Sequence, residues 1–238
     1  MSVAYNPKIV TDGLVLCLDA GNTKSYPGSG TTWFDLSNNS YNFNVNASAY
    51  NVSNGIAHMN FEGSFGAAKR VVDNALTDVP SFSNATFILC STILNSTSNW
   101  RTLLRGAGAD HQVIIQSGEN TLGMYDNNGN GFNSAGFDIT NLPNPYTQFN
   151  FLCWKFSTSS PYYQFQYNNN GTVYSITDAN STYNNGFAVI GAWHENSTVL
   201  TNSSQYWGKI ANVYYYNRHL SATEIQQNFN AVRGRFGI

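Results

Sequence analysis

Charged residues are scarce in this chain of 238 residues: Lys, Arg, Asp and Glu make up 10% of it, against about 25% in typical globular proteins. Eleven cations and 13 acids leave a net charge of −2, which argues against nucleic acid binding because that requires clustered Lys and Arg. No run reaches 18 apolar residues, and Met1 to Lys8 lacks the apolar core of a signal peptide. We therefore expect neither membrane insertion nor secretion.

Cysteine is also rare, with three residues, Cys17, Cys90 and Cys153. Each lies in an apolar, strand-like run, and an odd number cannot pair completely within one chain. We expect all three to be buried free thiols that act as small apolar side chains, which is consistent with folding in a reducing cytoplasm.

The chain is instead rich in aromatic residues (15%) and in asparagine (34 residues). Short β-type runs alternate with Gly, Asn, Pro and Ser, a pattern typical of an antiparallel sandwich or barrel. Asn169-Asn170-Gly171 predicts a hairpin over residues 162–176, because Asn and Gly accept the positive φ of tight turns. A broken alternation near Ile210 and residues 213–215 predicts a β-bulge. The predicted strands cover residues 14–18, 86–94, 102–104, 113–116, 122–125, 149–156, 162–167, 172–176, 187–190 and 209–216.

One short α-helix is predicted at the C-terminus, over about residues 222–233. Ser221 and Glu224 match a capping box, and Leu220 with Ile225 match a hydrophobic staple. Gly234 suits the end of the helix, which we expect to pack against the edge of the sandwich. The domain organisation is then an N-terminal arm, residues 1–12, able to pair with a partner protein, and one β-sandwich domain, residues 13–238.

Motifs for catalysis are missing. Glu62, Glu119, Glu195 and Glu224 stand alone in the sequence, without the closely spaced acids of sandwich glucanases. There is no Gly-x-Ser-x-Gly elbow, and His194-Glu195 lacks the second histidine of a zinc protease. We expect no enzymatic activity and a surface or hydrogen-bonded role for the remaining histidines. A pair of acids assembled across strands stays open as the basis of a glycoside hydrolase.

A calcium-loop fragment occurs at residues 126–131, where Asp126, Asn128 and Asn130 could supply oxygen ligands. The second half of the motif is missing, so a polar turn between strands is the simpler interpretation and a weak structural calcium site the alternative. No other cofactor is expected.

Aromatic and polar residues in turn-rich segments suggest a sugar-binding surface, because flat rings stack on sugars and amides bond their hydroxyls. The candidate glycan-binding residues are Trp100, Tyr125, Asp126, Trp193 and His194. The competing interpretation is that aromatic residues simply fill a sandwich core.

Motifs along nearly the whole chain carry a family resemblance: GLVLCLDAGN at residues 13–22, WFDLS at 33–37, FEGS at 61–64, WGKI at 207–210, and YYNRHLS at 215–221 followed by EIQQNFN and RGRF. Together they resemble the laminin-G-like domains of the concanavalin A-like lectin/glucanase superfamily, and the ending is similar to versions found in tailed-phage structural proteins. The resemblance implies an all-β, concanavalin A-like jelly-roll sandwich of two antiparallel sheets with a short C-terminal α-helix. It carries over neither a sugar site nor the calcium aspartates.

The resemblance and composition together predict a non-enzymatic surface protein of a phage virion, a capsid decoration or fibre-like subunit that aids host adsorption through weak glycan binding. A carbohydrate-binding tail-fibre or adhesin module is the first alternative, and a glycoside hydrolase the second. The expected partners are other virion proteins of capsid or tail, host-surface glycans and further copies in a homo-oligomer. The expected location is the virion surface, after assembly in the cytoplasm of a bacterial host.

Overall fold

The structure is a computed structural model that describes residues 8–63, 66–96, 98–107, 110–127, 129, 131–177, 184–194, 198–200 and 203–238, without the side chains of His194, Ser203 and Ser204. Two eight-stranded antiparallel sheets lie face to face, with one α-helix at the C-terminus. The predicted all-β jelly-roll sandwich with a C-terminal helix is confirmed.

Sheet 1 has the order β16-β15-β14-β9-β20-β5-β4, and β1 pairs with the edge of β20 that β5 also occupies. Its strands are β1 (Leu14–Asp19), β4 (Tyr50–Ser53), β5 (Ile56–Asn60), β9 (Asn84–Ser91), β14 (Asn150–Ser157), β15 (Tyr163–Tyr167), β16 (Tyr174–Ile176) and β20 (Lys209–Tyr216).

Sheet 2 has the order β13-β12-β11-β10-β17-β6-β3-β2. Its strands are β2 (Thr32–Trp33), β3 (Phe43–Asn44), β6 (Ala68–Lys69), β10 (Arg101–Arg105), β11 (His111–Ile115), β12 (Thr121–Asp126), β13 (Gly131–Asp138) and β17 (Val189–Ile190). Two ribbons stand apart from the sheets, β7 (Val71–Val72) with β8 (Ala75–Leu76), and β18 (Trp193–His194) with β19 (Ser203–Ser204). The helix is α1 (Ala222–Phe236), and 3₁₀ turns cover Ala47–Ala49 and Ile139–Asn141.

The main core fills the space between the sheets. Strand alternation sends Phe87 and Tyr215 of sheet 1 inward, where their rings lie 5.6 and 5.2 Å from the ring of Phe187. Trp154, fully buried, donates its indole N–H to the hydroxyl of Tyr163 at 2.6 Å. Buried aromatic rings with satisfied polar atoms account for the high aromatic content.

A second apolar layer lies between α1 and the outer face of sheet 1. Ile225, Phe229, Val232 and Phe236 of the helix pack against residues of β1, β9, β14 and β20. The expected position at the sandwich edge is therefore wrong: because the central strands are apolar on both faces, the helix covers the middle of the sheet.

The start of the helix is as predicted, with a capping box formed by Ser221 and Glu224. Its end is later than predicted. The helix runs through Gly234 to Phe236, and Gly237, at φ +69°, ends it in the left-handed region. Two contacts stabilise the extra turn: the Phe236 ring lies 5.6 Å from that of Phe149, and Arg235 pairs with Asp19 at 2.6 Å.

The three cysteines all lie in this second layer, on β1, β9 and β14, and all are buried and free. Burial raises the pKa of the Cys17 and Cys153 thiols to about 12, and it also raises that of Cys90. The predicted role as small apolar side chains is confirmed.

The predicted bulge and hairpin are both present. The pairing of β20 with β9 shifts between Ile210 and Asn212, and the buried Asn212 side chain accepts a hydrogen bond from the Cys90 backbone N–H at 2.7 Å. Strands β15 and β16 form the hairpin, with positive φ at Asn169 and Gly171. Two predicted strands begin two residues later than expected, because residues 172–173 belong to the turn and residues 187–188 precede β17.

The described part of the N-terminal arm packs on its own chain. Val10 is buried in the second layer, its N–H donates to Asn228 at 2.8 Å, and its carbonyl accepts from Tyr216 at 3.0 Å. Residues 1–7 of the arm lie outside the described residues. Residues 8–10 are thus held on the helix side of sheet 1.

Residues 217–221 connect β20 to α1. Arg218 bonds both carboxylate oxygens of Glu224, and the Leu220 N–H donates to Thr86 at 3.0 Å. A ring nitrogen of His219 lies 2.8 Å from the Phe156 carbonyl. Among the described residues, no helix is both long and apolar enough to cross a bilayer.

Candidate functional site

A cleft of about 180 Å³ opens on the outer face of sheet 2, the face opposite the main core. It is lined by aromatic, amide and apolar side chains: Trp100, His111, Ile114, Tyr125, Asn127, Trp193 and Gln205. Three of these residues were candidates from the sequence, and they come from three separated segments of the chain.

Strand alternation places the first wall of the cleft. In β12, Leu122 and Met124 face the main core, so Tyr125 faces outward. The Trp100 ring lies 5.4 Å from that of Tyr125 at an interplanar angle of 80°, and 5.5 Å from the ring of Phe132. The two cleft rings therefore meet edge to face, a favourable arrangement for aromatic pairs.

Gly123 makes room for this aromatic group. A Cβ atom at Gly123 would come within 2.8 Å of the Phe132 ring and 2.1 Å of the Asn133 carbonyl oxygen. With no side chain there, Phe132 can lie against the strand and support Trp100 from behind.

The second wall is the ribbon of β18 and β19, where Trp193 pairs with Ser204. Backbone hydrogen bonds of 2.8–2.9 Å join the two ends of the ribbon to the sandwich. The Gly191 N–H donates to the Leu103 carbonyl, and the Gly191 carbonyl accepts from the Trp207 backbone N–H. The Thr102 N–H donates to the Gln205 carbonyl. These bonds hold Trp193, which is half-buried, over the outer face of sheet 2.

His111 lies in the floor of the cleft. Its ring is 6.1 Å from that of Tyr125, and its Nδ1 is 3.2 Å from the Thr102 hydroxyl oxygen. Burial lowers the pKa of His111 to about 3, and the nearby Arg105 charge acts in the same direction. This imidazole is therefore neutral at physiological pH, able to donate or accept one hydrogen bond at each nitrogen but carrying no charge.

Buried cations lie beside the cleft on the same sheet but do not line it. Lys69 is fully buried and donates from Nζ to the Val199 carbonyl, and burial lowers its pKa to about 8. Arg105 is 4% exposed and lies near Asp110 and Asp78. These charges are held within the protein and are not offered to a ligand.

Asp126 has a different environment from its neighbour Tyr125. It is 2% exposed and forms a side-chain hydrogen bond with Asp110, whose pKa is raised by burial and by the Asp126 charge. Because adjacent residues of a strand face opposite sides, Asp126 is not among the residues that line the cleft. His194 pairs through its backbone with Ser203, and its side chain lies outside the described residues.

The calcium alternative stays a prediction, since Asn128 and Asn130 lie outside the described residues. Within the described ranges, no group of three or more His, Cys, Asp or Glu could hold a metal ion.

Sequence reasoning missed His111, Ile114, Asn127 and Gln205 as members of the site. The period-2 pattern of β11 gives a partial signal, because Val113 and Ile115 face the core and so send Ile114 outward. Nothing local identifies Gln205, which is held at the cleft by a long-range hydrogen bond from the Thr102 N–H of β10 to its carbonyl.

No family model and no curated protein matches the sequence. Solved structures do match. Trypanosoma rangeli sialidase in complex with sialic acid aligns with a TM-score of 0.56 at 15% identity, over 96% of this chain and 36% of that chain. The botulinum neurotoxin type G receptor binding domain aligns with a TM-score of 0.53 at 14% identity, over 92% and 51%. A tryptophan-to-alanine mutant of HCR/D gives 0.58 at 17% identity, over 92% and 51%.

This chain thus spans between a third and a half of the length of these structures. At such low identity the likeness concerns the fold alone. The chain shares a β-sandwich fold with parts of these proteins.

Proposed function

We propose that this chain is a non-enzymatic glycan-binding protein displayed on the surface of a phage virion. The observation that carries the binding role is the convergence of Trp100, Tyr125 and Trp193 on one cleft whose rim includes the amides of Asn127 and Gln205. Aromatic faces and edges suit the C–H surface of a pyranose ring, and amides can donate to and accept from its hydroxyl groups.

The size of the cleft favours weak binding of a single sugar residue. Its volume of about 180 Å³ is below the 300–1,000 Å³ that is usual for drug-sized ligands. At about −0.3 kcal/mol per non-hydrogen atom, a hexose of about 12 such atoms would gain roughly 4 kcal/mol, which corresponds to a Kd near 1 mM.

The non-enzymatic part of the proposal is supported by the chemistry of the lining. None of the described residues that line the cleft is a carboxylic acid. The acids next to it, Asp110 and Asp126, bond to each other. A hydrolase would need two acids that face one sugar from either side of its glycosidic bond.

The virion part rests on the ending of the chain, which resembles tailed-phage structural proteins. In the structure this segment joins β20 to α1 and builds the helix side of sheet 1. We propose that this side contacts other virion proteins or further copies of the chain, and that the chain is assembled in the cytoplasm of a bacterial host.

The binding role is tested on a glycan array with the purified chain, followed by titration of each positive sugar. We expect binding near 1 mM for a monosaccharide or disaccharide and no release of reducing sugar from β-glucans over a long incubation. Release of reducing sugar that disappears in Asp110→Asn would contradict the non-enzymatic proposal, and silence on the whole array would contradict the binding role.

The virion role has a separate test. An antibody against this chain, used in immunogold labelling of purified particles from a phage that encodes it, should label intact virions on the capsid or tail. Labelling only of the lysate, with none on particles, would contradict virion display and leave glycan binding standing.

A further inference from the structure

None of the described residues that line the cleft carries a charge at physiological pH. Its seven lining residues are aromatic, amide or aliphatic apart from His111. His111 is 6% exposed and is neutral at physiological pH, because burial and the charge of Arg105 both lower its pKa. The described lining therefore offers a ligand hydrogen-bonding groups and rings, and the nearest cation, Arg105, does not line the cleft.

The cations of the chain can all be located. Every one of the eleven Lys and Arg residues lies within the described residues. Three of these cations lie on strands of sheet 2, and their side chains donate to groups outside the cleft. Arg101 donates to the Leu94 and Glu119 carbonyls and to the Asn120 side chain. Lys69 donates to the Val199 carbonyl, and Arg105 donates to the Gly106 carbonyl. The remaining eight belong to sheet 1, its helix side or other loops: Lys8, Lys24, Arg70, Lys155, Lys209, Arg218, Arg233 and Arg235.

The ribbon that forms the second wall is equally poor in cations. Residues 193–207 contain no Lys or Arg, and their one acidic residue is Glu195. The described part of the ribbon therefore adds no Lys or Arg side chain to the cleft.

From these observations we infer that the cleft selects neutral sugar residues and excludes sugars that carry a carboxylate, such as sialic acids and uronic acids. Placing an ionised carboxylate in a half-buried site with no cation removes its hydration without replacing it. This inference rests on the proposed glycan-binding function and names the class of sugar that it serves.

Matched sugar pairs test the inference, at pH 8 so that ordinary histidines are also neutral. The pairs are lactose with 3′-sialyllactose and chitin tetrasaccharide with hyaluronan tetrasaccharide, each measured by titration against the full chain. We expect the neutral member of at least one pair to bind and its anionic counterpart to bind at least tenfold more weakly.

A charge added to the rim should reverse the preference. Asn127 is exposed, and its backbone N–H, which donates to Asp110, is retained in Asn127→Lys. This variant should gain at least tenfold in affinity for the anionic sugars relative to the unmodified chain. Asn38→Lys adds the same charge at an exposed position between β2 and β3, on the far edge of sheet 2, and should leave both affinities unchanged.

The outcomes separate the two proposals. Equal or stronger binding of the anionic members overturns the inference and leaves glycan binding intact. Failure of all four sugars to bind counts against glycan binding itself, and with it the inference. An equal gain in anionic affinity for Asn38→Lys would show that long-range charge, and not the cleft, decides the preference.

Discussion

Replacing Trp193 with alanine is expected to remove measurable sugar binding while the fold stays intact. Trp193 is half-buried, lines the cleft and belongs to the separate ribbon, so its truncation opens one wall without entering the core between the sheets. Buried tryptophans at the centre of binding sites commonly contribute about 2 kcal/mol or more, roughly 30-fold in affinity. The Kd for a sugar near 1 mM should then rise beyond 10 mM, measured by NMR titration.

Phe34→Ala is the matched control for this experiment. Phe34 is 42% exposed and follows β2, at the edge of sheet 2 farthest from β12. Its truncation removes an aromatic ring from the surface at a distance from the cleft and should leave the Kd within twofold. Unchanged binding in Trp193→Ala, together with an unchanged melting temperature, would mean that sugars bind elsewhere on the molecule.

Gly191→Ala should cause a large loss of stability. Gly191 has φ +93°, and a Cβ atom there would lie 2.2 Å from Cδ2 of Phe61, a fully buried ring. Strain at a positive φ costs about 1–2 kcal/mol, and overpacking a core adds about 1–3 kcal/mol. We expect the free energy of unfolding to fall by about 2–5 kcal/mol, measured by urea denaturation.

Gly118→Ala separates the two contributions. Gly118 also has a positive φ, +78°, but no atom lies within 4 Å of a Cβ placed there. Its substitution should cost only the backbone strain, about 1–2 kcal/mol. Equal losses in the two variants would show that the Phe61 ring moves aside at no cost and would contradict the predicted overpacking at Gly191.

The sequence was most informative where a signal is local. The capping box needs only Ser221 and Glu224, three residues apart, and the structure has it as predicted. The Asn-Gly turn between β15 and β16 likewise depends on the φ angles that its own residues tolerate. In both cases the determining interactions lie within a few residues of one another.

The sequence is less informative where the structure depends on packing between residues that are far apart in the chain. The helix passes Gly234 because Phe149 and Asp19, far away in sequence, hold its last turn. The candidate site is limited by long-range contacts in the same way. The sequence identifies aromatic residues that could be exposed. Whether Trp100, Tyr125 and Trp193 share one cleft depends on the pairing of β10 with β11 and on where the ribbon crosses sheet 2. Asp126 is a candidate from the sequence because it is a polar residue in a turn-rich segment, but strand alternation places it apart from the cleft.

The two outer faces of the sandwich differ in what they carry. Helix α1 and residues 8–10 lie on one side of the sandwich, and the cleft opens on the other, with two sheets about 10 Å apart between them. If many copies are held by their helix sides on one large body, every cleft faces outward. Neighbouring clefts can then bind one polysaccharide at the same time. Avidity would raise the overall affinity above that of a single millimolar site by a factor on the order of 10²–10⁴. The small size of each site thus becomes compatible with firm yet reversible adhesion.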